Sequence, residues 1–406
     1  AKLRPFVAVT LAALILFGAL GYWKYSAFIV RVLQDLGFRG AWMDGLSQPL
    51  TLPLGISFIV FQGLGYVIDV AAGRKSAEPR WSTVILFKAY FPQLIAGPIC
   101  RANELIPQLK EYMSFQHGRF ASGLAILGVG LFFKVVFADN VSPFVDRYFM
   151  SPAGMNTAEA WFAVLGFSVQ ILADFWGYST MAYGISLMVG ITLPINFRLP
   201  YLACSLREFW RRWHITLSTW LRDYLYKSFG GSRHGYARTI GALVATMVIG
   251  GLWHGANYTF LAWGLLHGLA LALEHGFVKL RDRLVPDFAL FHDPRAVSLS
   301  KGLTWIYAMT VVLVGWVFFR AANVGEAVEV LRKMTADLPT LEGIPRSYAT
   351  LILGFFVVQV IAERLLQKLR NGTIPPHWCY PLTVWLIIVS VVMSSENAEP
   401  FIYFQF

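Results

Sequence analysis

Residues 239–273 read TIGALVATMVIGGLWHGANYTFLAWGLLHGLALAL, Thr239 to Leu273, without one Asp, Glu, Lys or Arg. As a single helix rising 1.5 Å per residue, the stretch would be about 50 Å long, against about 30 Å of bilayer hydrocarbon. It is too long for one span. The pair Gly250 and Gly251 offers a place to break, because glycine is a poor helix former and tolerates unusual backbone angles. The stretch therefore reads as two membrane helices divided near Trp253, His254 and Gly255.

Working outward, Pro5 to Trp23, Gly45 to Ile68, Phe175 to Phe197, Gly302 to Phe319 and Asn371 to Ser395 are further apolar runs free of Asp, Glu, Lys and Arg. Phe120 to Phe133 is shorter, Ser347 to Ala362 is marginal, and Trp81 to Gly97 reads as a short or re-entrant helix beside Pro92 and Pro98. Together they predict an all-α, polytopic membrane protein with roughly nine to eleven spans plus interfacial pieces. Composition agrees. Of 406 residues, 56% are hydrophobic and 14% charged, against about 25% charged in an ordinary soluble domain. That balance excludes a soluble enzyme, a disordered chain and a secreted disulfide scaffold. Residues 1–406 read as one transmembrane domain.

The net charge is +11, from 34 basic and 23 acidic residues. The basic residues lie between apolar runs, so anionic headgroups explain them without nucleic acid. Eight of them fall between Ile191 and Ile240, which places that stretch on the cytoplasmic face. Cys100, Cys204 and Cys379 are scattered and suggest neither a disulfide framework nor a metal site.

Within that basic stretch, Leu206 to Tyr226 reads LREFWRRWHITLSTWLRDYLY. It is too charged to span and too aromatic for an ordinary loop. On a helix, Trp210, Trp213, Leu217, Trp220, Leu221 and Tyr224 share an apolar stripe, and Arg207, Arg211, His214, Ser218 and Arg222 a polar one. The expectation is one interfacial or re-entrant amphipathic helix over 203–229. One reading is a membrane anchor. The other is a site where Arg207, Arg211 and Arg222, with Ser218 and Trp210, hold an anionic ligand whose reactive end meets His214.

His254 lies inside an apolar run between glycines, where an ionisable side chain is costly and is a functional candidate. It reads either as a general base or as a core histidine bonded across helices. Trp253 and Asn257 flank it. Asp174, with Tyr178 nearby, is a third polar element at depth. It would orient a histidine, bind a partner or pair with a buried arginine. His267 and His275 lie further along and receive no role.

Arg207 to Tyr226 followed by GLWHG (Gly251 to Gly255) resembles the membrane-bound O-acyltransferase family. The likeness is to its bacterial polysaccharide branch, typified by the alginate O-acetyltransferase membrane subunit. LPLGISFIVFQGLGYVIDV (Leu52 to Val70), YFPQLIAGPI (Tyr90 to Ile99), FKVVFADN (Phe133 to Asn140), NFRLPYL (Asn196 to Leu202), GWVFFRA (Gly315 to Ala321) and FIYFQF (Phe401 to Phe406) agree in order. The resemblance implies helices around a central tunnel, with His254 matching the catalytic histidine and His214 the second characteristic one. It also implies further N-terminal helices upstream of the match at Leu11 to Phe28.

The resemblance further implies acetyl transfer from cytoplasmic acetyl-CoA across the inner membrane. A periplasmic or membrane-anchored partner would pass the group to an alginate-like exopolysaccharide. Peptidoglycan, teichoic acid or another acceptor is the alternative within the enzyme class, and a transporter or channel the alternative outside it. No bound cofactor or metal is expected.

Overall fold

The computed structural model describes residues 3–48, 50–94, 97–111, 114–284, 294–337, 343–395 and 400–402. Of the FIYFQF end, Phe401 and Ile402 lie within the described residues and 403–406 outside them. Ile95 and Ala96 of the Tyr90–Ile99 motif also lie outside. Among the described residues the ordered structure is helical and contains no strand.

The helices that frame the site are α1 (Leu3–Leu20), α2 (Ile56–Ala71), α3 (His117–Phe132), α4 (Thr157–Met188), α5 (Leu206–Arg212), α6 (Ile215–Trp220), α7 (Tyr236–His254), α8 (Tyr258–Leu284), α9 (Pro294–Arg320), α10 (Arg346–Arg370) and α11 (Pro376–Val392). A π turn at Gly21–Tyr25 carries α1 into a second helix, Ser26–Asp35. Another, Phe133–Ala138, carries α3 into Asp139–Met150. Seven helices among the described residues are long and apolar enough to cross a bilayer, and α2 and α11 are shorter apolar helices.

Helix formation follows the apolar runs except where the backbone forbids it. Of Gly45 to Ile68, only the part from Ile56 joins α2. Pro53 precedes it, and Gly55 takes the left-handed φ of 67°. The piece from Trp81 divides into Trp81–Ala89 and Phe91–Leu94.

Close packing rests on facing small residues. A Cβ built on Gly130 would sit 2.6 Å from the Gly177 carbonyl oxygen, and one on Gly123 2.6 Å from that of Gly184. Only glycine lets α3 and α4 approach that far. The α7–α8 pair uses the same device. A Cβ on Gly251 would meet the Phe260 carbonyl at 2.3 Å, and one on Gly264 the Met247 carbonyl at 2.5 Å. The run Thr239 to Leu273 thus folds back on itself after His254, within the expected stretch Trp253 to Gly255, but Gly250 and Gly251 stay helical inside α7, where Gly251 serves close packing and not the break.

Beside α4, Lys134 Nζ lies 2.7 Å from Asp139 Oδ1 and 2.7 Å from Asp174 Oδ1. Asp174 Oδ2 accepts the Ile402 backbone N–H at 2.7 Å. Asp174 therefore pairs with a lysine and ties down residues 400–402, where the sequence suggested an arginine partner or a histidine to orient. Tyr178 meets Phe401 edge to face at 4.6 Å, in the same neighbourhood.

Candidate active site

α7 ends at His254, and the chain leaves through Gly255 in extended backbone (φ −158°, ψ 147°). A Cβ on Gly255 would lie 2.0 Å from the Phe260 ring, so that turn requires glycine. His254 is buried. Its ring centroid is 4.9 Å from Trp253, 5.2 Å from Trp263 and 5.1 Å from Phe319.

The segment 203–229 is not one helix. α5 stops at Arg212, Trp213 is extended, and His214 takes the left-handed φ of 40° before α6 begins. A π turn, Leu221–Tyr226, completes the second arm. Both arms start from the same end of the α7–α8 pair. The Leu206 N–H bonds Glu274 Oε2 at 2.8 Å, and Thr239 Oγ1 donates to the Gly231 carbonyl at 3.3 Å. His275 stacks on Tyr236 at 5.9 Å, which puts Glu274 and Thr239 at one level. The kink reaches toward the other end, where His214 lies 6.2 Å, ring to ring, from Trp253. The result is a re-entrant hairpin with His214 at its tip.

A left-handed histidine costs about 1–2 kcal/mol, and the surroundings must hold it. Asn196 does so from both chain and side chain. Its carbonyl accepts the Ile215 N–H at 2.9 Å. Its Oδ1 accepts the Thr216 hydroxyl at 2.7 Å and the Thr216 N–H at 3.3 Å, and lies 3.4 Å from His214 Nδ1. Because Oδ1 accepts here, the network assigns the proton to Nδ1 and leaves Nε2 with a lone pair. Ser218 Oγ closes the turn by donating to the Trp213 carbonyl at 3.1 Å. Phe175 packs edge-on against His214 at 4.6 Å. His214 is fully buried. Its Nε2 has no hydrogen-bond partner among the described residues.

The two histidines therefore share one aromatic wall, with Trp253 touching both. The arginines do not join them. Arg207 and Arg211 are exposed on α5. Arg222, on the other arm, bonds Asp223 at 3.1 Å and is exposed. The kink takes these side chains off the common stripe that a continuous helix would give. Trp210, partly buried, packs on Trp263 at 5.6 Å and His267 at 5.3 Å. Asn257 Nδ2 donates to the Ala322 carbonyl at 3.0 Å and fastens the α7–α8 turn to the end of α9.

Several residues went unread in the sequence. Asn196 is the hub of the His214 turn. Lys24 and Tyr25 donate to the last carbonyls of α7. Arg101 pairs with Asp223 and stacks over Tyr224 at 5.3 Å, while the Tyr224 hydroxyl donates to Asp69 at 2.7 Å. A lysine at the end of an apolar run was the visible signal for Lys24; the others had none beyond residue type.

The fold and site define a multi-pass membrane protein that brings two histidines together inside its helices. The chain matches the profile of the membrane-bound O-acyltransferase family over residues 70–314. It is 35% identical over 437 aligned positions to a protein named probable alginate O-acetylase AlgI from Azotobacter vinelandii, covering 98% of this chain and 84% of that protein. To the protein of the same name from Pseudomonas putida it is 35% identical, covering 95% and 82%. To the peptidoglycan O-acetyltransferase of Helicobacter pylori it is 36% identical, covering 93% and 72%. The chain belongs to the membrane-bound O-acyltransferase family and is an O-acyltransferase, which sets the transporter reading aside.

Proposed function

We propose that this chain takes an acetyl group from cytoplasmic acetyl-CoA and moves it across the inner membrane for O-acetylation of an extracytoplasmic, alginate-like polysaccharide. A periplasmic or membrane-anchored partner protein would carry the group to the sugar. The observation that carries the reading is the buried pair of histidines about Trp253, reached by a re-entrant hairpin whose base is strongly basic.

In this reading His254 accepts the proton of the incoming hydroxyl as its oxygen attacks the thioester carbonyl. The carbon–sulfur bond breaks, an ester forms, and the CoA thiolate takes up the proton that His254 held. General-base help of this kind contributes about 10² to 10⁴ in rate. His214, with its lone pair at Nε2, suits accepting a hydrogen bond, so it positions a reactant and does not polarise the carbonyl. The packed indole and phenyl rings keep water from the thioester. Arg207, Arg211 and Arg222 would meet CoA phosphates at the cytoplasmic mouth.

CoA release by the purified protein with its partner, native against His254→Ala, tests the reading. The variant should fall to background while remaining folded. Equal activity of the two would make His254 structural. The likeness to a peptidoglycan O-acetyltransferase favours peptidoglycan as the second acceptor to try in the same assay.

A further inference from the structure

The last turn of α7 ends in the carbonyls of Leu252, Trp253 and His254, and a helix cannot satisfy its final carbonyls from within. Water does so at an exposed end, but Trp253 and His254 are buried. Locally, the Gly255 N–H bonds the Gly251 carbonyl at 3.4 Å, one residue short of these three. All three carbonyls are taken by two consecutive residues from the other end of the sequence. Tyr25 OH donates to the Leu252 carbonyl at 2.7 Å, and Lys24 Nζ to those of Trp253 at 2.6 Å and His254 at 3.0 Å. Both donors sit at the end of the π turn Gly21–Tyr25, and single π turns recur at functional sites. The lysine ammonium also faces the negative end of the α7 dipole.

We propose that Lys24, backed by Tyr25, is a positioning residue for His254. It clamps the turn from which the imidazole projects and so sets where the ring stands relative to the acceptor hydroxyl. Helix ends fray, and a side chain in a final turn keeps its direction only while that turn is held. The inference rests on the reading of His254 as general base. Lys24 bonds carbonyl oxygens of the turn, so its loss acts on the chemical step and leaves donor affinity in place.

The test measures kcat and donor KM for the full chain in nanodiscs, with acetyl-CoA, partner and acceptor, per folded molecule. It compares the native protein with Lys24→Met, Lys24→Gln, Tyr25→Phe and His254→Ala. A misplacement of about 1 Å costs on the order of 10²-fold in rate. Lys24→Met should therefore lower kcat by about that factor with KM nearly unchanged. Lys24→Gln, which keeps a shorter N–H donor, should recover part of the loss, and Tyr25→Phe should show a smaller one.

Native kcat in folded Lys24→Met, with only the melting temperature lowered, overturns the proposal, because Lys24 then merely fastens the N-terminal helix. If Lys24→Met does not fold, Tyr25→Phe decides, and native kcat there overturns it equally. Full turnover by His254→Ala, or none by the native protein, removes the general-base reading and this proposal together. An inactive His254→Ala beside an unimpaired Lys24→Met removes the positioning role alone.

Discussion

Asn196→Ala should unfasten the His214 turn. Asn196 is 2% exposed. Its Oδ1 serves two Thr216 donors and His214 Nδ1, and its Nδ2 donates to Ser179 Oγ at 3.2 Å. The Thr216 hydroxyl can rotate, but the Thr216 N–H and His214 Nδ1–H cannot. Stranding a buried donor costs about 1–3 kcal/mol. The two stranded bonds are long, 3.3 and 3.4 Å, which favours the low end for each, and a small cavity adds to them. A loss of about 3 kcal/mol is expected. Ser179→Ala leaves one amide N–H unserved and should cost about 1 kcal/mol. Thermal unfolding in detergent can be followed with a thiol-reactive fluorophore, since Cys100 and Cys379 are buried free thiols. CoA release measured on the same samples should fall in Asn196→Ala more than in Ser179→Ala. Equal midpoints for the two variants, with full turnover in both, would refute the account of the hub.

Three further outcomes are expected. Lys134→Met leaves Asp139 and Asp174 facing each other in the interior and should destabilise by about 3–5 kcal/mol, read in the same unfolding assay; a change below 1 kcal/mol would argue against a structural ion cluster. Arg211→Ala should raise the donor KM more than it lowers kcat, and an unchanged KM removes this arginine from donor binding. Asp223 is partly buried, which alone would raise its carboxyl, but hydrogen bonds from Arg222, Lys227 and Arg101 hold it well below the usual range. Its stabilisation is therefore present above the unfolded carboxylate range near pH 3.9 and fades as pH falls toward its depressed native value. The midpoint gap between native and Asp223→Asn should be steady from pH 7 to 5 and narrow below about pH 4; a gap that widens on acidification contradicts the sign.

Part of this protein was legible in the order of its residues. Apolar length set the membrane class and required Thr239 to Leu273 to divide; the division falls at Gly255, after α7 ends at His254, and not at Gly250 and Gly251, which remain helical. The depth of His254 in that run marked it before any geometry was known. These features are local: helix rise, hydrocarbon thickness and glycine's missing Cβ act within a few residues.

The kink at His214 was not legible, because a 3.6-residue stripe presumes a continuous helix. The left-handed turn is imposed by Asn196, 18 residues away. Lys24 meets the His254 carbonyl across 230 residues of chain. Asp174 found its lysine on α3's continuation and its N–H donor at Ile402, 228 residues on. Sequence by itself determined which stretches are long and apolar enough to form membrane helices, since apolar length is a property of the segment alone. Tertiary structure alone decided which polar groups meet inside, because a buried donor or acceptor takes whatever partner the packed helices bring within hydrogen-bond reach.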